Sequence, residues 1–394
     1  MTPTGIRVSP ALLKELGLTV VEWADSAFLL GVGSALSKVA KAVRAARLTA
    51  PPLNWAYPFH KLYVGEQRVL WWRDVETGKQ MFLPQVLLLS PDEAKDESSI
   101  RVELRKDVFR ARTTIPEGLE FYRHTSDGSR KQQFHDGRIA RLVDWRPEER
   151  LLVFQGCSYF DYLATNQSLD VPRAGFPPLR EELVYDGRLE ELAESELANT
   201  VGINGLIFTS DGRMIFQKRL QNVLVRPGEL CSGFSGSVEH YDIYHTVAAK
   251  GTLDEMDAPR EMVEELGVHR EEVAGRVFLG ITRELIRGGK PEMFYSIDLD
   301  ITAQEVLSRI PRDREGQILC FGMGVCGRSV LRERDRDKLP GYFPRILRDL
   351  HQNGAAELSV PLLTNLALWL QRNCPFAVGE GPLPAADSAP ARSH

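Results

Sequence analysis

An α/β fold is what the sequence predicts, on three observations. β-rich runs pair around short turns at 201–220 and again at 276–302. Between them, at 260–266, lies a short helical segment that a glycine ends. Apolar residues recurring at spacings of three and four mark a long helix near the N-terminus. The chain has 394 residues, 43% hydrophobic and 26% charged, a globular composition with room for two or three domains.

In chain order, Ser9-Pro10 opens a first helix that ends at Gly17, with serine as cap and proline in the first turn. Residues 20–48 follow as an amphipathic helix whose stripe is Leu29, Val32, Leu36, Val39 and Val43. Its far end is basic through Lys38, Lys41, Arg44 and Arg47, and Pro51-Pro52 stops it. A basic amphipathic helix can bind membranes, but the favoured expectation is that the stripe packs onto this chain or onto a second copy, so a homodimer is among the assemblies it allows. Residues 60–90 carry two strand signals around Thr77-Gly78, and 100–165 is β-rich. VGINGLIFTSDGRMIFQKRL (201–220) is a hairpin turning at Asp211-Gly212. RVFLGITRELIRGGKPEMFYSIDLDIT (276–302) is a second, with Arg287–Lys290 at its tip. VLRERDRDKLPGYFPRILRDLHQ is a solvated helical stretch broken at Pro340-Gly341, and Leu362–Leu370 is an apolar helix. From about Val378 the chain is rich in Pro, Ala and Ser and is expected to be disordered. The expected division is 1–110, 111–185 (β-rich), 186–330 (core), 331–376 (helices) and 377–394 (tail).

The chemistry sits in REMVEELGV, residues 260–268. On a helix Glu261, Glu264 and Glu265 share one face, and their like charges repel by a few tenths of a kcal/mol per pair. They occupy the last turn before Gly267, where the helix dipole favours cations. Arg260 is spaced to pair with Glu264 but does not neutralise all three. Local stability does not call for this arrangement. On the carboxylates alone a solvated charged face is the plainer reading, and a bound divalent cation is the alternative that would explain the crowding, since magnesium takes carboxylate and phosphate oxygens. With charged residue types near ~6% each and Gly near ~7%, Arg-Glu-x-x-Glu-Glu-x-Gly arises by chance on the order of once in a thousand such chains.

REMVEELGV resembles the second half of the Nudix box, Gly-x5-Glu-x7-Arg-Glu-U-x-Glu-Glu-x-Gly-U with U aliphatic, where Met262 and Val268 fill the U positions. Counting back from Arg260 puts Thr252 and Thr246 where the family has Glu and Gly. Upstream, GFSGSVEHYD (233–242) supplies Gly236, five residues, then Asp242. Seventeen residues lie between Asp242 and Arg260 where the family has seven, so 243–259 reads as an expanded loop between the halves. Asp257 is placed to cap the helix, and Pro259 lies in its first turn. The resemblance covers roughly 199–325. It implies an α/β/α sandwich with a mixed sheet, the first hairpin preceding the box and the second following it.

A narrower likeness is carried by LLVFQGCSYFDYLATN (151–166). It is similar to the segment before the core in UDP-glucose pyrophosphatases of the same superfamily, with Ala164-Thr165-Asn166 in place of Gly-Thr-Asn. Their later glutamate corresponds to Glu315 in DREGQILCF.

The resemblance implies magnesium, with manganese as its alternative, held by Glu261, Glu264 and Glu265, and water attacking a phosphorus. Arg260 would hold the carboxylate geometry, and Glu315 would be an extra ligand or base. Gly236 would let the backbone approach. Arg219, Arg287 and Lys290 are candidates to meet phosphate or sugar, against a competing reading as solvated surface charges. Asp242 is the weaker match, because its side chain is short and the insertion follows it.

Other chemistries lack support. Five cysteines form no framework and suggest free thiols. His240 and His245 have no partner set for a metal. GVGS at 31–34 lacks the Lys-Ser/Thr of a phosphate loop. GCSYF is no nucleophile elbow, which leaves Ser158 structural. A net charge of −5 gives no reason to expect nucleic acid. No run of eighteen apolar residues predicts a membrane span. The N-terminus lacks the order of a signal peptide, so a cytoplasmic protein is expected. Two functions remain. One is a magnesium-dependent pyrophosphohydrolase acting on a small nucleoside diphosphate derivative, foremost a UDP-sugar. The other is a non-catalytic nucleotide sensor using its first hundred residues to signal.

Overall fold

The computed structural model describes residues 63, 68–73, 80–111, 136–171, 177–183, 187–220, 227–256, 260–310, 316–322, 347, 357–374 and 378–382. The expected N-terminal helices, the Thr77-Gly78 turn, Asp257, Pro259, Glu315 and nearly all of 330–352 lie outside the described residues.

The strands are β1 (Arg68–Arg73), β2 (Gln80–Leu89), β3 (Arg101–Val108), β4 (Arg138–Arg146), β5 (Leu151–Ser158), β6 (Gly202–Phe208) and β7 (Arg213–Arg219). They continue with β8 (Leu230–Cys231), β9 (Phe234–Ser237), β10 (Val273–Glu284), β11 (Lys290–Leu299), β12 (Gly316–Gly322) and β13 (Val378–Pro382). The helices are α1 (Tyr159–Ala164), α2 (Leu179–Leu183), α3 (His240–Ala249), α4 (Arg260–Leu266), α5 (Ala303–Arg309) and α6 (Val360–Asn373).

Ten strands form one mixed sheet, ordered β12-β7-β6-β11-β10-β2-β1-β13, with β8 beside β7 and β9 beside β6. β6 and β11 run parallel, and the other described pairs of this sheet are antiparallel. Its strands are apolar on both faces. On β6, Ile203 and Ile207 join the cluster of Met262 and Leu266 of α4 and Val306 of α5. Leu206 and Phe208, one residue out of phase, join that of Leu362, Leu366 and Trp369 of α6. A sheet buried on both faces between helices is the α/β/α sandwich. Ser359 caps α6 by accepting from the Leu362 N–H at 3.2 Å. The Trp369 ring stacks on Phe208 at 5.5 Å.

The hairpin β1–β2 adds to this sheet through β2 on β10. The two strands approach closely at Gly280, whose φ of +126° and lack of a Cβ leave room for the Leu89 carbonyl. A second sheet, β3-β5-β4, packs into the same cluster as α4 through Val102, Leu142, Leu152 and Phe154.

Two expectations need correction. Residues 243–259 are not an open loop. Most of their described part is α3 followed by a 3-10 turn at Leu253–Glu255. Ile243 and Leu253 are fully buried there, which is what makes the segment fold. The segment also ties the two sheets together. The Val102 N–H donates to the Gly251 carbonyl at 2.8 Å, and the Leu253 N–H to Ile100 at 2.9 Å. The Ala140 N–H donates to Val238 at 2.8 Å, just before α3. The second correction concerns Val378–Pro382, which is strand β13 on the edge of β1 and not part of a disordered tail. Its order comes from pairing with a segment some three hundred residues earlier, which local composition does not reveal.

Among the described residues no helix is long and apolar enough to cross a membrane. Trp369→Ala should destabilise the fold by about 3–5 kcal/mol, since it opens a cavity under Phe208. A urea midpoint unchanged from the parent would contradict this packing.

Candidate active site

Helix α4 is short, and its position is set by burial. Met262 and Leu266 are wholly buried on one side, and Gly267 ends the helix at φ +64° with its N–H on the Val263 carbonyl at 2.9 Å. The opposite side carries the glutamates. Strand β9 lies against them. The Ser235 N–H donates to Glu265 Oε2 at 3.1 Å. Gly236 leaves the space that the Glu261 carboxylate fills, and a methyl there would lie 2.5 Å from both of its oxygens.

Arg260 meets four carboxylates. Its guanidinium lies 2.9 Å from Glu264, 3.0 Å from Glu261, 3.2 Å from Asp242 and 3.7 Å from Glu239. Burial works against that positive charge, but Glu261, Asp242 and Glu264 hold its pKa above the ordinary arginine value. Asp242 also accepts from the Glu239 N–H at 2.9 Å and so caps α3. Burial pushes the Glu261 carboxyl up to about 7, opposed by Arg260 and reinforced by Glu264.

Glu261 and Glu265 open onto a pocket of about 360 Å³. Its lining also includes Gly236, Arg219, Asn204, Glu292, Arg287 and Lys290, with Tyr159 and Tyr162 from α1 and Ser359 and Pro361 from the start of α6. Arg219 ends β7 on one side of β6, and Lys290 begins β11 on the other.

Arg287 and Lys290 are not solvated surface charges. Their side chains are only 12% and 5% exposed. Lys290 Nζ lies 2.7 Å from Glu292, and Arg287 lies 2.7 Å from Glu284 and 3.1 Å from Glu292. Arg287 also donates to the Tyr162 hydroxyl at 3.1 Å. Asn204 donates to the second Glu292 oxygen at 2.8 Å. The tip is held from below by Asn166, whose amide donates to the Arg287 carbonyl at 2.9 Å and whose Oδ1 accepts from the Asn199 N–H at 2.8 Å.

The structure therefore brings Gly236, Arg219, Glu261, Glu265, Arg287 and Lys290 to one cavity. Glu264 is 58% exposed and turned to Arg260 instead. Glu315 lies outside the described residues. Sequence reasoning missed Glu292, Asn204 and Tyr162. Glu292 did leave a signal, a lone carboxylate in the apolar run PEMFYSI of a strand with both faces covered.

The donor set bears on a metal. Among the described residues, no group of three or more His, Cys, Asp or Glu side chains is arranged to hold an ion unaided. The residues present do fit a hard cation that is shared with a substrate. Two glutamates face one polar cavity, the Gly236 gap keeps the backbone clear of them, and Glu261 is desolvated beside other carboxylates. Magnesium commonly takes one or two carboxylates and completes its shell with water and phosphate oxygens.

No family model matches the chain. It is 25% identical over 182 residues to the mouse (Mus musculus) protein described as uridine diphosphate glucose pyrophosphatase NUDT22. That match covers 43% of this chain and 55% of the mouse protein, so the chain spans about half the length of this relative. Solved structures with some likeness include DR0079 from Deinococcus radiodurans, with a TM-score of 0.22, 20% identity, and coverage of 30% of this chain and 66% of that one. A Nudix hydrolase from M. smegmatis, RenU, matches with a TM-score of 0.24 at 11% identity, covering 45% of this chain and 84% of that one. The MutT protein of Methanosarcina mazei Go1 matches with a TM-score of 0.21 at 16% identity, covering 38% and 94%. By its motif, the order of its elements and its mouse relative, the chain resembles the Nudix hydrolase superfamily, with a stretched box, and more weakly the UDP-glucose pyrophosphatase branch.

Proposed function

We propose that this protein hydrolyses the diphosphate bond of a nucleoside diphosphate linked to another group, with magnesium at α4 and a UDP-sugar as the leading substrate. The observation that carries the reading is the placement of Glu261 and Glu265 on one polar cavity beside the Cβ-free backbone of Gly236. Glu261 and Glu265 would hold the cation. Manganese suits the same oxygen donors. When bound, the ion would supply charge neutralisation on the diphosphate and a lowered pKa for water. Arg260 keeps Glu261 in place from the other side. Arg219 is the cation on the β7 flank for a phosphate oxygen. The narrow likeness to a UDP-glucose pyrophosphatase supports the substrate class.

A non-catalytic nucleotide sensor is the competing reading. Its support is that Glu264 is paired outward, so the three helix carboxylates do not converge.

Turnover of UDP-sugars, other nucleotide-sugars, dinucleotides and nucleoside triphosphates with magnesium separates the two. Glu261→Gln and Glu265→Gln should each lower kcat/KM by about 100-fold or more if each carboxylate contributes a few kcal/mol in the transition state. A chain that cleaves nothing on the panel, yet is stabilised by a nucleotide, would be the sensor. Gly236→Ala should displace the Glu261 carboxylate and reduce activity about tenfold or more, corresponding to about 1.4 kcal/mol, while leaving the melting curve cooperative. Full activity in that variant would mean that the gap at Gly236 is not used.

A further inference from the structure

The pocket has a second end that the hydrolysis reading does not use. Ser235 beside Glu265 pairs across strands with Asn204, and β6 in turn pairs with β11. The Glu292 carboxylate and Lys290 Nζ reach back over Gly202 of β6, so the network lies one strand spacing, roughly 5 Å, from β9 and on the far side of it from α4. We propose that Tyr162, Asn204, Arg287, Lys290 and Glu292 form a subsite for a neutral, hydroxyl-bearing group joined to the diphosphate, a sugar. The proposal rests on the reading of α4 as the diphosphate end of the pocket.

Charge is the first argument. Arg287 and Lys290 are matched by Glu284 and Glu292, and all four side chains are nearly buried. A further phosphate arriving here would find no uncompensated positive charge, and desolvating it would be costly. Arg219, the other cation of the pocket, is on the opposite side of β6. A hydroxyl group carries no such penalty.

Hydrogen-bonding capacity is the second argument. An ammonium has three N–H donors. Among the described residues Lys290 gives one to Glu292, and its charge faces the Tyr162 ring at 5.9 Å. The residue is nearly buried and lines the cavity, where a ligand hydroxyl can take up its remaining donors. Asn204 gives one N–H to Glu292 and retains a carbonyl oxygen. A hydroxyl both donates and accepts, and it is the group that satisfies buried donors and acceptors set side by side. The array is also held before any ligand arrives. Glu292 receives from Lys290, Arg287 and Asn204, and the Tyr162 hydroxyl donates to Gln167 at 2.9 Å.

The test measures binding, so it stands apart from turnover. UDP, ADP, GDP and CDP are each titrated calorimetrically beside their glucose conjugates, with calcium replacing magnesium. The parent should bind at least one conjugate about tenfold tighter than its plain diphosphate, the discrimination expected of a site built to bond hydroxyls. Lys290→Gln and Glu292→Gln should bring that ratio near one while changing affinity for the plain diphosphate little. Tyr162→Phe keeps the ring and removes only a hydroxyl. It should reduce the ratio too, and it decides the matter if the charge variants melt early. Equal binding of all pairs by the parent overturns the proposal, as do variants that weaken diphosphate and conjugate alike. A parent that discriminates without cleaving would refute the hydrolase and leave the subsite standing.

Discussion

The site depends on Arg260, where one guanidinium faces carboxylates from two helices. Asp242 belongs to α3 and Glu261 and Glu264 to α4, with 17 residues between Asp242 and Arg260. Without a shared cation these acids would repel one another across a partly desolvated space, where Coulomb forces are weakly screened. With it they define the angle between α3 and α4, and so the direction in which Glu261 points. The same ion cluster explains how a box split by an insertion still holds its halves together. Asp242 does not need to reach the pocket to matter, because it fixes the arginine that fixes the glutamate.

The insertion acts as a seam. The residues that follow helix α3 bond to Val102 of β3 and to Ile100 just before it, while the apolar residues of the helix and of the turn sink into the core shared with α4. That attachment places β5, and β5 leads directly into α1. Ser158 starts α1 by accepting from the Phe160 and Asp161 N–H groups at 3.0 and 3.2 Å. Tyr159 and Tyr162 then face the pocket, and Asn166 grips the tip of the β10–β11 hairpin. Residues far apart in sequence thus shape one cavity through a chain of backbone bonds and not through side-chain contacts alone.

Much of this was legible in the sequence where the signal is local. The Asp211-Gly212 turn, the two hairpins and the apolar helix at 360–373 follow from period and turn chemistry. The acidic helix follows from its spacing and its glycine stop. What escaped was set by distant partners. HYDIYHTVAA reads poorly as a helix because Tyr241 and Tyr244 remain exposed on it, and its order comes from Ile243 packing beneath. Arg287 and Lys290 look like hairpin-tip charges until α1 and Asn166 from the other sheet are seen to cover them. Strand β13, with two glycines and a proline in VGEGP, has no strand propensity of its own and exists because β1 offers an edge.

Helix α6 and β13 come last among the described elements, yet they finish the sheet: one roofs a whole apolar face and the other closes an edge. On the ribosome this means that residues 68–322 emerge with Leu206, Phe208, Phe216 and Phe294 uncovered and with β1 unpaired on its outer side. A chain in that condition presents both the greasy surface and the open strand edge on which aggregation begins. By the order of synthesis, the apolar face and the strand edge both wait for residues 360–382 to emerge. That order also gives a nonsense mutation upstream of 360 a heavier consequence than the loss of a peripheral helix would suggest.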